Sequence, residues 1–293
     1  MSDTDLRQRI SEDEKSEDES TGSSSASPTA LAPEELLRTA ADATLTEDLA
    51  LSLLKRADLH PEVLERLAKN ASALKSRKLR IALASHPRTP RHVSVPLARQ
   101  LYTFDLMKVA LSPSAPADVK VAVDDILIAR LETVTLGERL TLARRASGRV
   151  AAALLLLDVE NGKAVEGSEA KIVELKVMKG KTPGPQVRIM QAALDNPRLT
   201  EALVISSVLR ADASVALVHA VARHARWSPR KEIGAALLRT EHLSLARALA
   251  FARTISPLTL GEILRSSRLP EKIKDQILRE CLGGDALGEN LCD

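Results

Sequence analysis

From Asn196 to Glu280, an apolar residue followed by Ser, Thr or Pro recurs at Leu199-Thr200, Ala213-Ser214, Trp227-Ser228, Leu243-Ser244, Leu258-Thr259 and Leu269-Pro270. The second members stand 14, 14, 16, 15 and 11 residues apart. A hydroxyl at such a place caps free backbone N–H groups, and its apolar neighbour staples the entry of the chain. Each pair therefore predicts a helix start. Pro229 follows Ser228 at a first helical position, where a missing N–H costs little. Behind the caps come apolar pairs at i, i+4: Val204/Val208, Leu217/Val221, Ile233/Leu237, Leu245/Leu249, Leu260/Leu264 and Ile273/Ile277. That spacing places both members on one helical face. Helices of about ten residues are marginal alone in water. They must stack on neighbours, and the even spacing makes those neighbours alike. Two starts per unit give a period of about 28–31 residues, the mark of an α-solenoid.

The N-terminal half carries similar signals less regularly. Helix starts are expected at Pro33, Thr46, Pro61, near Ser72, at Thr89-Pro90, Pro116, Thr135 and Ser147. Leu49/Leu53, Val63/Leu67, Val123/Leu127 and Leu136/Leu140 repeat the i, i+4 spacing. Val134-Thr135-Leu136-Gly137-Glu138-Arg139-Leu140 and Leu258-Thr259-Leu260-Gly261-Glu262-Ile263-Leu264 share Thr-Leu-Gly-Glu. Both read as capping boxes, and the match favours duplication.

Ala82-Leu83-Ala84-Ser85-His86-Pro87-Arg88-Thr89-Pro90 runs parallel to Ala193-Leu194-Asp195-Asn196-Pro197-Arg198-Leu199-Thr200. In each, a helix ends in Ala-Leu, a proline forbids continuation and a hydroxyl opens the next helix. These turns resemble those of bacterial HEAT-like and leucine-rich-repeat-variant α-solenoids, over roughly residues 45–157 and 186–280. The resemblance implies a curved stack of antiparallel helices with a concave surface. Most members of that broad class act as binding scaffolds, and a minority bind or repair DNA. The shared motif is structural, so it transfers no catalytic residue.

Three stretches fall outside the repeats. Residues 1–30 carry eight acidic and three basic side chains and few apolar ones, which predicts a disordered leader. Residues 158–185 interrupt the array with glycines and prolines. Within them Ser168 to Lys179 reads as a short helix closed by Gly180, with a strand as the competing reading. Residues 281–293 read as a flexible tail holding both cysteines, Cys281 and Cys292. A chain without a disulfide framework fits a reducing cytoplasm.

Composition narrows the chemistry. Leu and Ala supply 47 and 42 of 293 residues, against one Trp, one Tyr and two Phe. This favours an all-α fold over a β-sandwich and argues against base-stacking platforms and ammonium cages, which need clustered rings. The longest purely apolar run, Val150 to Leu157, is far short of a bilayer span. Gly180-Lys181-Thr182 ends like a phosphate loop, but position 175, where the loop needs glycine, is Leu. His219 and His224 lie about 140° apart on a helix, poorly placed for one metal. Turn or surface roles are expected for the six histidines. No catalytic residue, cofactor, metal or small-molecule substrate is therefore expected, and the chain reads as a non-enzyme.

Basic residues supply the candidate binding surface. Twelve Lys and Arg face four acids from Lys55 to Ala110, and fifteen face nine from Arg188 to Glu280. Arg88, Arg91, Arg198, Arg226, Arg230, Lys231 and Arg239 recur near repeat turns, and Trp227 sits beside them as the lone indole. On one groove these cations would pair with phosphates; otherwise they compensate helix dipoles and lie over the core. For Trp227 the favoured reading is a hydrophobic staple before Ser228. The expected function is a scaffold for an unidentified protein partner, with nucleic-acid binding as the alternative.

Overall fold

The computed structural model describes residues 32–157 and 184–281, and every regular element among them is an α-helix. The leader, the stretch 168–179 and Cys292 lie outside them. Before the break the helices are α1 (Pro33–Ala41), α2 (Glu47–Leu54), α3 (Pro61–Lys69), α4 (Ala71–Lys75), α5 (Arg77–Ser85) and α6 (Arg91–Arg99). They continue with α7 (Thr103–Leu111), α8 (Ala117–Arg130), α9 (Leu136–Arg145) and α10 (Gly148–Leu156). After it come α11 (Pro185–Leu194), α12 (Glu201–Leu209), α13 (Val215–Arg223) and α14 (Lys231–Leu237). The last are α15 (Leu245–Ala252), α16 (Pro257–Arg265) and α17 (Glu271–Cys281). Cys281, expected in the tail, is the last residue of α17.

Local chemistry sets most of the starts. Thr46, Ser76, Ser147 and Ser214 accept the backbone N–H three residues on, and Pro33, Pro61, Pro185 and Pro257 occupy first positions. Thr135 and Glu138 close the expected capping box on α9. Its counterpart at Thr259 does not form. Ser256 caps α16 instead and receives the Thr259 N–H, because Ser-Pro three residues earlier is the better start. Nor does Ser228 open a helix: residues 225–229 form a turn and α14 begins at Lys231. The starts of α5 at Ser76 and α7 at Tyr102 carry no signal among those read above.

Helices two apart in the chain pack on each other: α5 on α7, α9 on α11, α11 on α13 and α15 on α17. The even-numbered helices α6, α8, α10, α12 and α14 pack in succession. Neighbours in sequence also touch, such as α5 with α6, α7 with α8, α9 with α10 and α13 with α14. Every substantial contact joins helices at most three apart in chain order. Helices α11, α13 and α15 begin at Pro185, Val215 and Leu245, thirty residues apart each time.

Leucines such as Leu53, Leu64, Leu83, Leu106, Leu142, Leu217 and Leu237 are wholly buried. Each contributes about 2 kcal/mol of transfer free energy. Ala50, Ala84, Ala98, Ala143, Ala193 and Ala248 are equally buried and let backbones approach closely. Not every expected pair faces inward. Leu49, Leu136 and Leu245 are 39%, 50% and 39% exposed. Leu136 and Leu245 are the first residues of their helices, and the inward face begins further along. In α15 that face is Ala248, Phe251 and Ala252.

The break in the described residues does not break the packing. Helices α9 and α10 contact α11, and α10 contacts α12. The Gln186 side-chain amide donates to the Leu157 carbonyl at 2.9 Å, tying the two flanks of residues 158–183 together.

Candidate binding surface

Successive turns are joined by one recurring device. The Asn70 side-chain oxygen accepts the N–H of Ser72 at 3.0 Å, while its nitrogen donates to the carbonyls of Ala40 and Asp42 at 3.2 and 2.7 Å. Asn196 accepts from the Arg198 N–H at 2.8 Å and donates to the carbonyls of Ala143 and Ala146 at 2.8 and 3.2 Å. His86 and His224 perform the same task. Each Nδ1 accepts the N–H two residues on, at 3.2 Å, so the ring proton sits on Nε2. His86 Nε2 donates to the Arg56 carbonyl at 2.8 Å, and His224 Nε2 to Asp195 Oδ1 at 3.1 Å. Ser267 accepts from Leu269 N–H and donates to the Leu238 carbonyl. Thus an Asn, His or Ser both fixes its own turn and satisfies the previous unit's turn. Buried carbonyls demand such partners.

The predicted binding arginines lie along these turns. Arg88 Nη1 donates to the Asp58 carbonyl at 3.0 Å, and Arg198 Nη1 to the Arg145 carbonyl at 3.2 Å. Arg226 reaches two carbonyls, Asn196 at 2.8 Å and Leu199 at 3.2 Å. Arg130 does likewise, with Leu101 at 2.7 Å and Arg99 at 2.6 Å. Arg91 pairs with Asp118 at 3.7 Å, and Arg230 pairs with Glu201. Lys231 is exposed as the first residue of α14, and Arg239 is partly exposed. Neither side chain meets a partner among the described residues.

Trp227 is fully buried, and its indole N–H donates to the Leu194 carbonyl at 2.9 Å. The Arg226 guanidinium lies 4.3 Å from its ring centroid and that of Arg230 5.1 Å, a doubly cation-capped indole. It sits inside the turn, three residues before the helical N-cap Arg230, and so is not the residue preceding a cap. The structure brings Arg226, Trp227 and Arg230 together; Arg88, Arg91 and Arg198 belong to other turns.

Two carboxylates are buried: Asp105, which no sequence signal marked, and Asp124, whose adjacency to Asp125 reads in the sequence as a solvated face or a helix-dipole partner. Asp105, in the first turn of α7, is wholly buried and held by both arms of the Arg77 guanidinium, with Lys108 at 3.6 Å. Arg77 also lies 5.3 Å from the Tyr102 ring centroid. The Arg77 hydrogen bonds hold the Asp105 carboxyl below the usual carboxylate range. Asp124 on α8 differs. Burial pushes its carboxyl up, and the Ser147 hydroxyl, donating at 2.8 Å, only partly offsets this. Their separation from their partners, 28 and 23 residues, hides such pairs from local patterns.

An apolar concavity lies elsewhere. A groove of about 450 Å³ runs between α11 and α13. Val187, Met190 and Leu194 form one wall, and the small Ala216 and Ala220 form the other. Asp195, His219 and Arg223 mark its rim. The alanines leave open the space that larger residues would fill. No signal in the sequence singled out this pair of helices, since the groove arises from small residues facing large ones across a unit boundary.

Among the described residues, no three His, Cys, Asp or Glu side chains gather as a metal site. No helix there is long and apolar enough to cross a membrane. No family model, curated protein or solved structure matches the chain.

Proposed function

We propose that the chain is an α-solenoid of short antiparallel helix pairs, HEAT-like in its turns, and that it works as a non-enzymatic scaffold for a protein partner. The near-neighbour contacts and the thirty-residue spacing support the architecture. One observation carries the functional choice. The guanidiniums of Arg88, Arg198 and Arg226 are directed at backbone carbonyls, and those of Arg91 and Arg230 at carboxylates. These five arginines thus serve cohesion between units, while the concavity between α11 and α13 is mainly aliphatic. An aliphatic groove with a charged rim suits an amphipathic peptide or helix. A cytoplasmic setting goes with this reading.

A photo-crosslinking residue at Ala216 tests it in cells. The expected result is a discrete protein adduct. An adduct to nucleic acid would overturn the proposal. So would retardation of duplex DNA by the purified chain at ~50 mM salt, with affinity falling steeply as salt rises.

A further inference from the structure

We infer that the partner seated between α11 and α13 is an acidic amphipathic helix, with carboxylates in its first turn and aliphatic residues behind them. This choice of partner rests on the groove being a protein-binding site.

The groove ends on an uncompensated basic cluster. Its walls run to Leu194 and Asp195 on one side and to Arg223, His224 and Ala225 on the other. Hydrogen bonds tie that end to the turn after α9. Asn196 donates to the carbonyls of Ala143 and Ala146, Arg198 to that of Arg145, and Arg226 to those of Asn196 and Leu199. Residues 143–146, 194–200 and 223–230 hold Arg144, Arg145, Arg198, Arg223, Arg226 and Arg230. Their one carboxylate is Asp195, which receives a hydrogen bond from His224 at 3.1 Å. With Arg230 paired to Glu201, five guanidiniums remain against that single acid. Arg198 and Arg226 donate N–H groups to carbonyls, but a carbonyl carries no formal charge, so both stay cationic. Arg144, Arg145 and Arg223 are exposed and meet no partner among the described residues.

Direction follows from the helix ends. Helix α11 closes at Leu194 and α13 at Arg223, and the Trp227 indole bond to the Leu194 carbonyl holds the two ends side by side. Both C-terminal dipole ends therefore lie at the basic cluster and favour the N-terminus of an incoming helix. Acidic residues are themselves favoured in a first turn. From Val187 to Leu194 the α11 wall runs about 10 Å, the reach of aliphatic residues at i, i+4 and i+7. A phosphate backbone would meet the arginines but leave Val187, Met190 and Leu194 uncovered.

The probe is a fluorescein-labelled, Ala-rich helical peptide with Leu at i, i+4 and i+7 and glutamates in its first turn. Its binding to the full chain is read by fluorescence anisotropy. It is expected to bind about tenfold more tightly than the same peptide with lysines for glutamates, and the gap should narrow as salt rises. Arg144→Glu, Arg145→Glu and Arg223→Glu together should reverse the preference. The matching triple glutamine variant, which should abolish it, serves if that chain fails to fold. A preference that survives these substitutions, or affinities for the two peptides equal within about twofold, would overturn the acidic partner while leaving the groove reading intact. Affinity unchanged when the leucines become serines would overturn it too, since charge alone would then hold the peptide. If neither peptide binds at ~1 mM, the groove reading falls and the inference with it. Displacement of the bound peptide by duplex DNA more readily than by unlabelled peptide would make nucleic acid the occupant and overturn both.

Discussion

The Asn196 side-chain amide donates to the carbonyl of Ala143, 53 residues earlier, at 2.8 Å. Elsewhere the equivalent bonds span about thirty residues: Asn70 to Ala40, His86 to Arg56 and Arg226 to Asn196, each 30 residues apart. The excess at Asn196 is taken up by the stretch between α10 and α11. The turn has found its partner across an interruption in sequence.

Asn196→Ala should cost about 2–4 kcal/mol, because it strands two buried carbonyls and an N–H together. Asn196→Asp keeps the acceptor for Arg198 N–H but faces the carbonyls of Ala143 and Ala146 with a carboxylate. It should be at least as damaging. Urea denaturation of the two variants checks both statements; a loss below about 0.5 kcal/mol for Ala would contradict the stapling role.

Glycines at two helix starts should respond oppositely. A β-carbon on Gly148 would collide with the Arg198 carbonyl, whereas one on Gly137 would meet nothing. Gly148→Ala should therefore lower stability by at least about 2 kcal/mol. Gly137→Ala should be neutral or stabilising by up to about 1 kcal/mol. Paired thermal melts compare them directly.

Much of this was legible beforehand. The caps at Thr46, Thr135, Ser147 and Ser214, and the apolar pairs at Val63/Leu67 and Val204/Val208, are local signals, and local signals survive in a sequence. The failures share a cause. Ser228 and Thr259 have the right chemistry for caps, but a competing start nearby wins. The arginines of the [His/Asn]-Pro-Arg turns looked available because their acceptors, main-chain carbonyls some thirty or more residues back, carry no residue identity. A carbonyl acceptor leaves no trace in the letters.

Substitution of Arg226 should accordingly act on folding. Arg226→Lys removes the two-carbonyl fork and weakens stacking on Trp227. Trp227→Phe removes the bond to Leu194 and should cost about 1–3 kcal/mol. The chain's single tryptophan is wholly buried, so native emission should be blue-shifted. Arg226→Lys should lower the denaturant midpoint read by that emission.

The two buried aspartates set opposite pH dependences. Asp105 is held below its ordinary value of 3.8. Its stabilisation is present above that value and is lost as pH falls through the lower folded pKa. The deficit of Asp105→Asn relative to the parent should therefore shrink in acid. Asp124 is raised above 3.8, so its contribution is favourable at low pH and fades as pH rises through the raised value. Asp124→Asn should gain on the parent as pH climbs from 3 towards neutrality. Parallel trends for the two variants would show that the carboxylates are not in the environments described.

The bond from Gln186 to Leu157 has an architectural consequence. It brings the ends of a long excursion within a side chain's reach, while the units on either side keep their mutual contacts. Such a neck is a natural docking port for new sequence. Any domain whose own termini lie close together could be grafted between Leu157 and Gly184 without unthreading the array.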